Sequence, residues 1–166
     1  MKLFAIYIGG EHPAAHIEIH DVRFIVAPSL KATHVALRRQ WWGTPGTLHI
    51  DCWAEIDHAD GYDVQLRPEP YKGREQLFFV NLGGYDPADF AEQHRNMFVV
   101  AENVTQAKAR AMATIPEWKE GHRDDLYEAE KAFALKERIG ERLHIHLVAT
   151  GTTRPPKFAC RYTPLK

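Results

Sequence analysis

The chain has 166 residues, 45% of them hydrophobic, which is enough for one ordinary domain or two small units with a substantial interior. Its 21 basic and 22 acidic side chains leave a formal net charge of −1, and no Lys/Arg run builds a local basic field, so composition argues against a nucleic-acid partner. The longest apolar run near the start, residues 3–8, is cut by Gly9-Gly10 and is too short for a membrane span or a signal peptide.

The segment LFAIYIGG at 3–10 reads as a strand, and it returns as LFFVNLGG at 77–84, an offset of 74. From 3/77 to 37/111 the match runs without a gap. In that stretch 11 of 35 paired positions are identical, where average composition gives roughly two. Paired glycines suit a tight turn with positive φ, and their amides could also face a phosphate or carboxylate. Gly9, Gly10, Gly83 and Gly84 are therefore anion-binding candidates, although no GxGxxG or GxxxxGKS/T pattern accompanies them.

A polar loop then leads to a second strand, 22–27 in copy one and 97–101 in copy two. Asp86-Pro87 suits the start of a short helix in the second loop. Ser29 caps a helix that presents Leu30, Leu37 and Trp41 on one face. Asn103 caps its counterpart, presenting Val104, Ala111 and Ile115 at the same spacings, with Gln106 at the capping-box position. Gly43 is expected to end the first helix in a left-handed conformation and Pro116 to stop the second. Of the neighbours Trp41 and Trp42, one can enter the core while the other faces elsewhere.

Leu48, Ile50 and Cys52 alternate with His49 and Asp51 in a third strand, and a hairpin turning near Asp60-Gly61 returns through Tyr62, Val64 and Leu66. The corresponding return strand of copy two carries Leu143, Ile145 and Leu147. Extra residues precede it around 120–131, where helical spacing at Leu126, Ala129 and Phe133 competes with a strand. RPEPYKG at 67–73 reads as an extended linker, and the Pro-containing tail from Gly151 is expected to drape over the surface. Cys52 and Cys160, outside any CxxC spacing, are expected as thiols of a reduced, cytoplasmic protein.

These elements predict an α+β fold of two tandem ββαββ repeats related by pseudo-twofold symmetry and packed as one compact body. Residues 1–67 form the first repeat, 68–76 a linker, 77–150 the second repeat and 151–166 the tail.

The polar residues kept by both copies carry the chemical interest. Glu18-x-His20 recurs in register as Glu92-x-His94, and His49-x-Asp51 recurs with a one-residue shift as His122-x-Asp124. Residues two apart on a strand share a face, so an HxD pair can offer a nitrogen and an oxygen to one metal ion or substrate, and a second His completes a two-His, one-carboxylate set. The same pairs also serve as structural hydrogen-bond anchors, which a duplication copies equally well. No cofactor is predicted on the leading reading, and a divalent metal belongs to the alternative. His144-x-His146 reads as an exposed polar face, and Pro13 argues against a helical clip of His12, His16 and His20. No GxSxG or reactive-thiol context marks a covalent nucleophile.

The LFxVxLGG opening, the following E-x-H and F-V-x-A, and the FVNLGGY passage at 79–85 resemble the bacterial family named domain of unknown function 1543. The resemblance spans roughly residues 1–150 and implies a small bacterial protein carrying two copies of the domain. That family brings no established activity and no catalytic residues to carry over. The leading expectation is a binding or assembly module, with open sheet edges and an outward Trp available to a homodimer. The alternatives are a metal-dependent enzyme using the repeated His and His-x-Asp residues, and a small anionic ligand binder at the Gly-Gly segments.

Overall fold

The computed structural model describes residues 1–86, 88–114, 128–137, 139 and 142–165. The described chain is mixed α+β, with two α-helices and largely antiparallel sheet, and it divides into two compact units. One comprises Met1–His58 with Arg154–Lys166, and the other Ala59–Thr153.

In the first unit β1 (Lys2–Gly10), β2 (Ile19–Ala27), β3 (His49–Glu55) and β10 (Ala159–Pro164) form one sheet in the order β10-β3-β1-β2. β1 pairs antiparallel with β2 and with β3. Alternation along β1 sends Phe4, Ile6 and Ile8 into a core with Leu37 of α1 (Leu30–Gln40), Leu48, Ile50 and Leu165. Tyr7 and Gly9 consequently lie on the opposite sheet face. The Ser29 side chain caps α1 by accepting from the Ala32 amide, as its sequence position suggests.

The C-terminal segment is an edge strand of this sheet. β10 pairs antiparallel with β3, and Cys160 lies opposite Cys52. The two form a disulfide, with Cα atoms 4.0 Å apart, so the expected free thiols are corrected. The end of α1 is a second correction. The helix stops at an extended Trp41, and Gly43 does not have positive φ. Gly43 is needed for close approach: a Cβ there would meet the Trp41 ring at 2.3 Å and the Glu11 carbonyl at 2.4 Å.

In the second unit β6 (Gln76–Tyr85), β7 (Glu92–Ala101) and β8 (Glu128–Ala134) form a sheet in the order β7-β6-β8. α2 (Val104–Ala113) is capped by Asn103, whose side chain accepts from the Gln106 amide. Its Ala107 and Ala111 join Phe78, Val80, Leu82 and Val99 in a core. Pro87 of the expected short helix lies outside the described residues, and beside it the Asp86 carboxylate accepts from the Ala88 amide. Residues 115–127 fall outside the described set, and with them Pro116 and the Leu126 position. Ala129 and Phe133 fall in strand β8, and a 3-10 turn at Leu135–Glu137 follows.

A further sheet has the order β4-β5-β9, from β4 (His58–Ala59), β5 (Tyr62–Arg67) and β9 (His144–Ala149). The turn at Asp60 and Gly61 carries φ of 51° and 84°, the positive values a two-residue hairpin of type I′ requires. The hairpin therefore joins β4 to β5, and β5 does not return along β3 as the sequence pattern suggests. Its partner is β9, with Leu66 opposite Ile145, while the open edge of β3 is taken by β10. The two expected return strands thus pair with each other.

Asp60 anchors this turn within the second unit. Its carboxylate accepts from the Val100 amide at 2.9 Å and from the Arg110 guanidinium at 2.9 Å. Asp60→Ala should lower stability by about 2–4 kcal/mol, combining an unsatisfied amide with a left-handed Ala. Asp60→Asn tolerates the same φ and retains one acceptor, so denaturant unfolding should show a clearly smaller loss for it.

Candidate functional site

On the sheet face away from α1, strands β2 and β3 and the loop before β2 bring four polar side chains together over Gly9 of β1. The β1 ladders place Gly9 opposite His20 on one side and opposite His49 on the other. Asp51 follows His49 on β3, where the register shifts so that Ile8 faces Ile50 and Tyr7 faces Cys52. Asp51 therefore occupies a one-residue bulge, a device that re-aims a side chain at a sheet surface. Glu18 comes from the loop just before β2.

The resulting distances are short. His49 Nε2 lies 2.8 Å from Glu18 Oε1 and 3.3 Å from Asp51 Oδ1. His20 Nε2 lies 3.6 Å from Glu18 Oε2 and 3.6 Å from Asp51 Oδ2. Burial is graded: the His49 side chain is 4% exposed and that of Asp51 29%, while His20 and Glu18 reach 37% and 46%. Two members are held in the protein surface and two stand at its edge.

The tautomer of His49 follows from its other nitrogen. Nδ1 lies 3.1 Å from the Thr47 carbonyl oxygen, which can only accept, so Nδ1 carries a proton. A neutral ring then aims the bare lone pair of Nε2 at two carboxylates. That is acceptor against acceptor, and it is relieved by a proton shared between the groups, on the ring or on a carboxylate, or by a cation among them. The close contacts of Nε2 are not aligned as hydrogen bonds. His49 Nε2 and Asp51 Oδ2 are both buried without a hydrogen-bond partner among the described residues, which in an interior group calls for an explanation.

Gly9 makes this proximity possible. A Cβ at that position would lie 2.7 Å from His49 Nε2, 2.9 Å from Asp51 Oδ2 and 2.9 Å from His20 Cδ2. Gly9 and Gly10 are thus paired strand residues, not the turn suggested by the doublet, and neither has positive φ. Tyr7 stacks on His20 with ring centroids 5.4 Å apart, and Tyr162 covers His49 at 4.5 Å. Burial, followed by the Asp51 and Asp21 carboxylates, pushes the Tyr7 phenol above its ordinary pKa. Sequence reasoning did not single out Tyr7 or Tyr162; Tyr7 does sit two residues before Gly9, on the same strand face.

In the second unit Gly83 faces His94 across β6 and β7, as Gly9 faces His20. His94 Nε2 is 3.7 Å from Glu92 Oε2. On the other side of β6 the residue opposite Gly83 is Glu128, in the position His49 holds opposite Gly9. His122 and Asp124 lie outside the described residues. Gly83 and Gly84 are likewise strand residues of β6.

The remaining candidates have local partners. His146 donates from Nε2 to the Glu69 carbonyl at 2.7 Å and packs edge-on against Tyr71, which ties the 67–73 segment to β9. His12 accepts from the Ala14 amide in a turn. Trp41 packs on the core and donates to the Thr44 carbonyl, whereas Trp42 is the exposed member of the pair. Among the described residues no group of three or more His, Cys, Asp or Glu is placed, as it stands, to hold a metal ion. Nor is any helix among them long and apolar enough to cross a membrane.

Residues 15–66 match the model of the family described as Domain of Unknown Function (DUF1543), and this segment contains Glu18, His20, His49 and Asp51. The resemblance read from the sequence is thereby supported over that part of the chain. The whole fold is similar to the crystal structure of a protein Il1583 from Idiomarina loihiensis. That likeness has a TM-score of 0.72 and 29% identity, and covers 99% of this chain and 98% of the other. The comparison with curated proteins gave no match.

Two measurements check the geometry. Gly9→Ala should cost roughly 1–3 kcal/mol in denaturant unfolding, because the added carbon has to displace the His49 and Asp51 side chains; a change under a few tenths would contradict the close packing. Asp51→Asn should lower the Tyr7 pKa, read as phenolate absorbance against a Tyr7→Phe reference. The folded phenol keeps its proton above the pH at which an unfolded Tyr loses it, near 10. The stability it contributes is therefore complete below that pH and declines as pH rises through the raised folded value.

Proposed function

We propose that this protein is a binding module whose first unit takes a divalent transition-metal cation at Glu18, His20, His49 and Asp51. The observation that carries this reading is the buried Nε2 of His49, held by Thr47 in the orientation that aims its lone pair at two carboxylates. Imidazole nitrogen and carboxylate oxygen together suit zinc and its first-row neighbours. A nitrogen donated to a backbone carbonyl on the far side of the ring is the usual way a ligating His is fixed.

The four contacts between these groups run from 2.8 to 3.6 Å and engage both oxygens of each carboxylate, so a common shell with bonds of about 2.0–2.2 Å requires side-chain rotation. Ion binding completes the shell by turning Glu18 and His20, the two exposed members, while His49 and Asp51 stay in place. Two carboxylates beside Gly9 also disfavour an anion at the first glycine pair, so a cation is the better ligand on electrostatic grounds.

The finer architectural reading is that the two units descend from one duplicated element. It is supported by the shared strand order, β3-β1-β2 and β8-β6-β7, and by the matching Gly–His pairs Gly9–His20 and Gly83–His94. On the ladder Glu128 holds the position opposite Gly83 that His49 holds opposite Gly9.

Chelator-treated, untagged protein titrated calorimetrically with Zn²⁺ should bind one ion per chain in the first unit. His49→Ala and Asp51→Asn should each weaken binding by more than the roughly 10–100-fold that changes outside a metal's direct ligands cost. Wild-type protein that gives no binding heat and retains no metal would overturn the assignment.

A further inference from the structure

Strand β10 runs beside the site. Its ladder with β3 pairs Ala159 with Trp53 and Cys160 with Cys52, then shifts register before pairing Thr163 with Ile50 and Pro164 with His49. Arg161 and Tyr162 fall in that irregularity, and the Tyr162 ring lies over the His49 imidazole with centroids 4.5 Å apart. The strand is fastened on both sides of Tyr162. Toward the N-terminus it is tied by the Cys52–Cys160 disulfide. Toward the C-terminus Leu165 is buried in the core and its amide donates to the Leu48 carbonyl at 2.9 Å.

Between these fastenings β10 buries little. Residues 159–162 are exposed, and Tyr162 itself is 64% exposed, yet the imidazole beneath it is almost completely covered. An edge strand with few buried contacts opens locally at low free-energy cost unless something else restrains it. A covalent cross-link supplies such a restraint by reducing the freedom of the opened segment.

We infer that β10 is a redox-controlled cover on the metal site, with the Cys52–Cys160 disulfide holding Tyr162 over His49 and reduction releasing it. The inference rests on the site reading above and adds its regulation. The reductant is a dithiol. One of its thiolates attacks a sulfur of the disulfide, the mixed disulfide is resolved by its second thiol, and the dithiol leaves as a disulfide. Two electrons and two protons pass to Cys52 and Cys160, which become thiols. β10 then keeps only its backbone ladder and the Leu165 anchor, and Tyr162 can swing away from the ring.

The test measures access to His49 and requires no metal. The full-length chain, air-oxidised or treated with a dithiol, is exposed to diethylpyrocarbonate, and modification of His49 is followed by peptide mass analysis with exposed His16 as internal reference. Reduction should speed His49 modification about tenfold relative to His16. Cys160→Ser should be fast without reductant. Tyr162→Ala, which retains the disulfide, should also be fast, so the idea stays testable if the Cys variant fails to fold. An unchanged His49 rate after reduction, two persistent thiols in air-oxidised protein, or faster modification that appears only with loss of the helical circular-dichroism signal would each overturn it. Failure of Zn²⁺ binding with a redox-dependent His49 rate would reject the metal and keep the cover; the converse would keep the metal and reject the cover.

Discussion

The first unit turns on the absence of a side chain at Gly9. Three groups from two neighbouring strands occupy the space that a Cβ would take, at 2.7–2.9 Å from its position. Only glycine permits that approach without altering the backbone, so the central strand can be covered on its outer face by polar atoms brought within 4 Å of one another. The cost is visible in the same place. Two of those atoms, on His49 and Asp51, are buried without hydrogen bonds, and native proteins keep such groups chiefly where something else uses them.

The opposite face of the same sheet explains why the arrangement holds its shape. Phe4, Ile6 and Ile8 alternate with Tyr7 and Gly9, and they pack with Leu37, Leu48 and Ile50 into a core at most 3% exposed. His49 lies between Leu48 and Ile50 in sequence, so the core fixes the strand that carries it. Asp51 escapes strict alternation through the β-bulge, and its carboxylate can approach the imidazoles while Ile50 remains buried. Packing on one side thereby positions chemistry on the other. The two exposed members, Glu18 and His20, stand at the edge of the cluster, with His20 against the Tyr7 ring.

The second unit has a three-stranded sheet of order β7-β6-β8 that carries different side chains. Its central strand carries the same Gly-Gly ending, and Gly83 has a His neighbour at the same place in the ladder. Where Tyr7 stacks on His20, Asn81 instead donates a hydrogen bond to Asn96. The position opposite Gly83 on β8 belongs to Glu128.

Much of the local structure was written in the residues themselves. The helix starts at Ser29 and Asn103, the turn at Asp60-Gly61 and the apolar alternation of the central strands depend on backbone preferences and periodicity, which act over a few neighbours. The repeat also pointed to Glu18, His20, His49 and Asp51 as residues of interest. Tertiary structure alone decided that these four meet, because β2 and β3 flank β1 from opposite sides and sequence does not state strand order. It also decided that β10 occupies the edge of β3, that Cys52 finds Cys160 at a sequence separation of 108, and that β5 pairs with β9. Each of these is a long-range choice of partner for a strand edge, and local propensity is the same whichever partner wins.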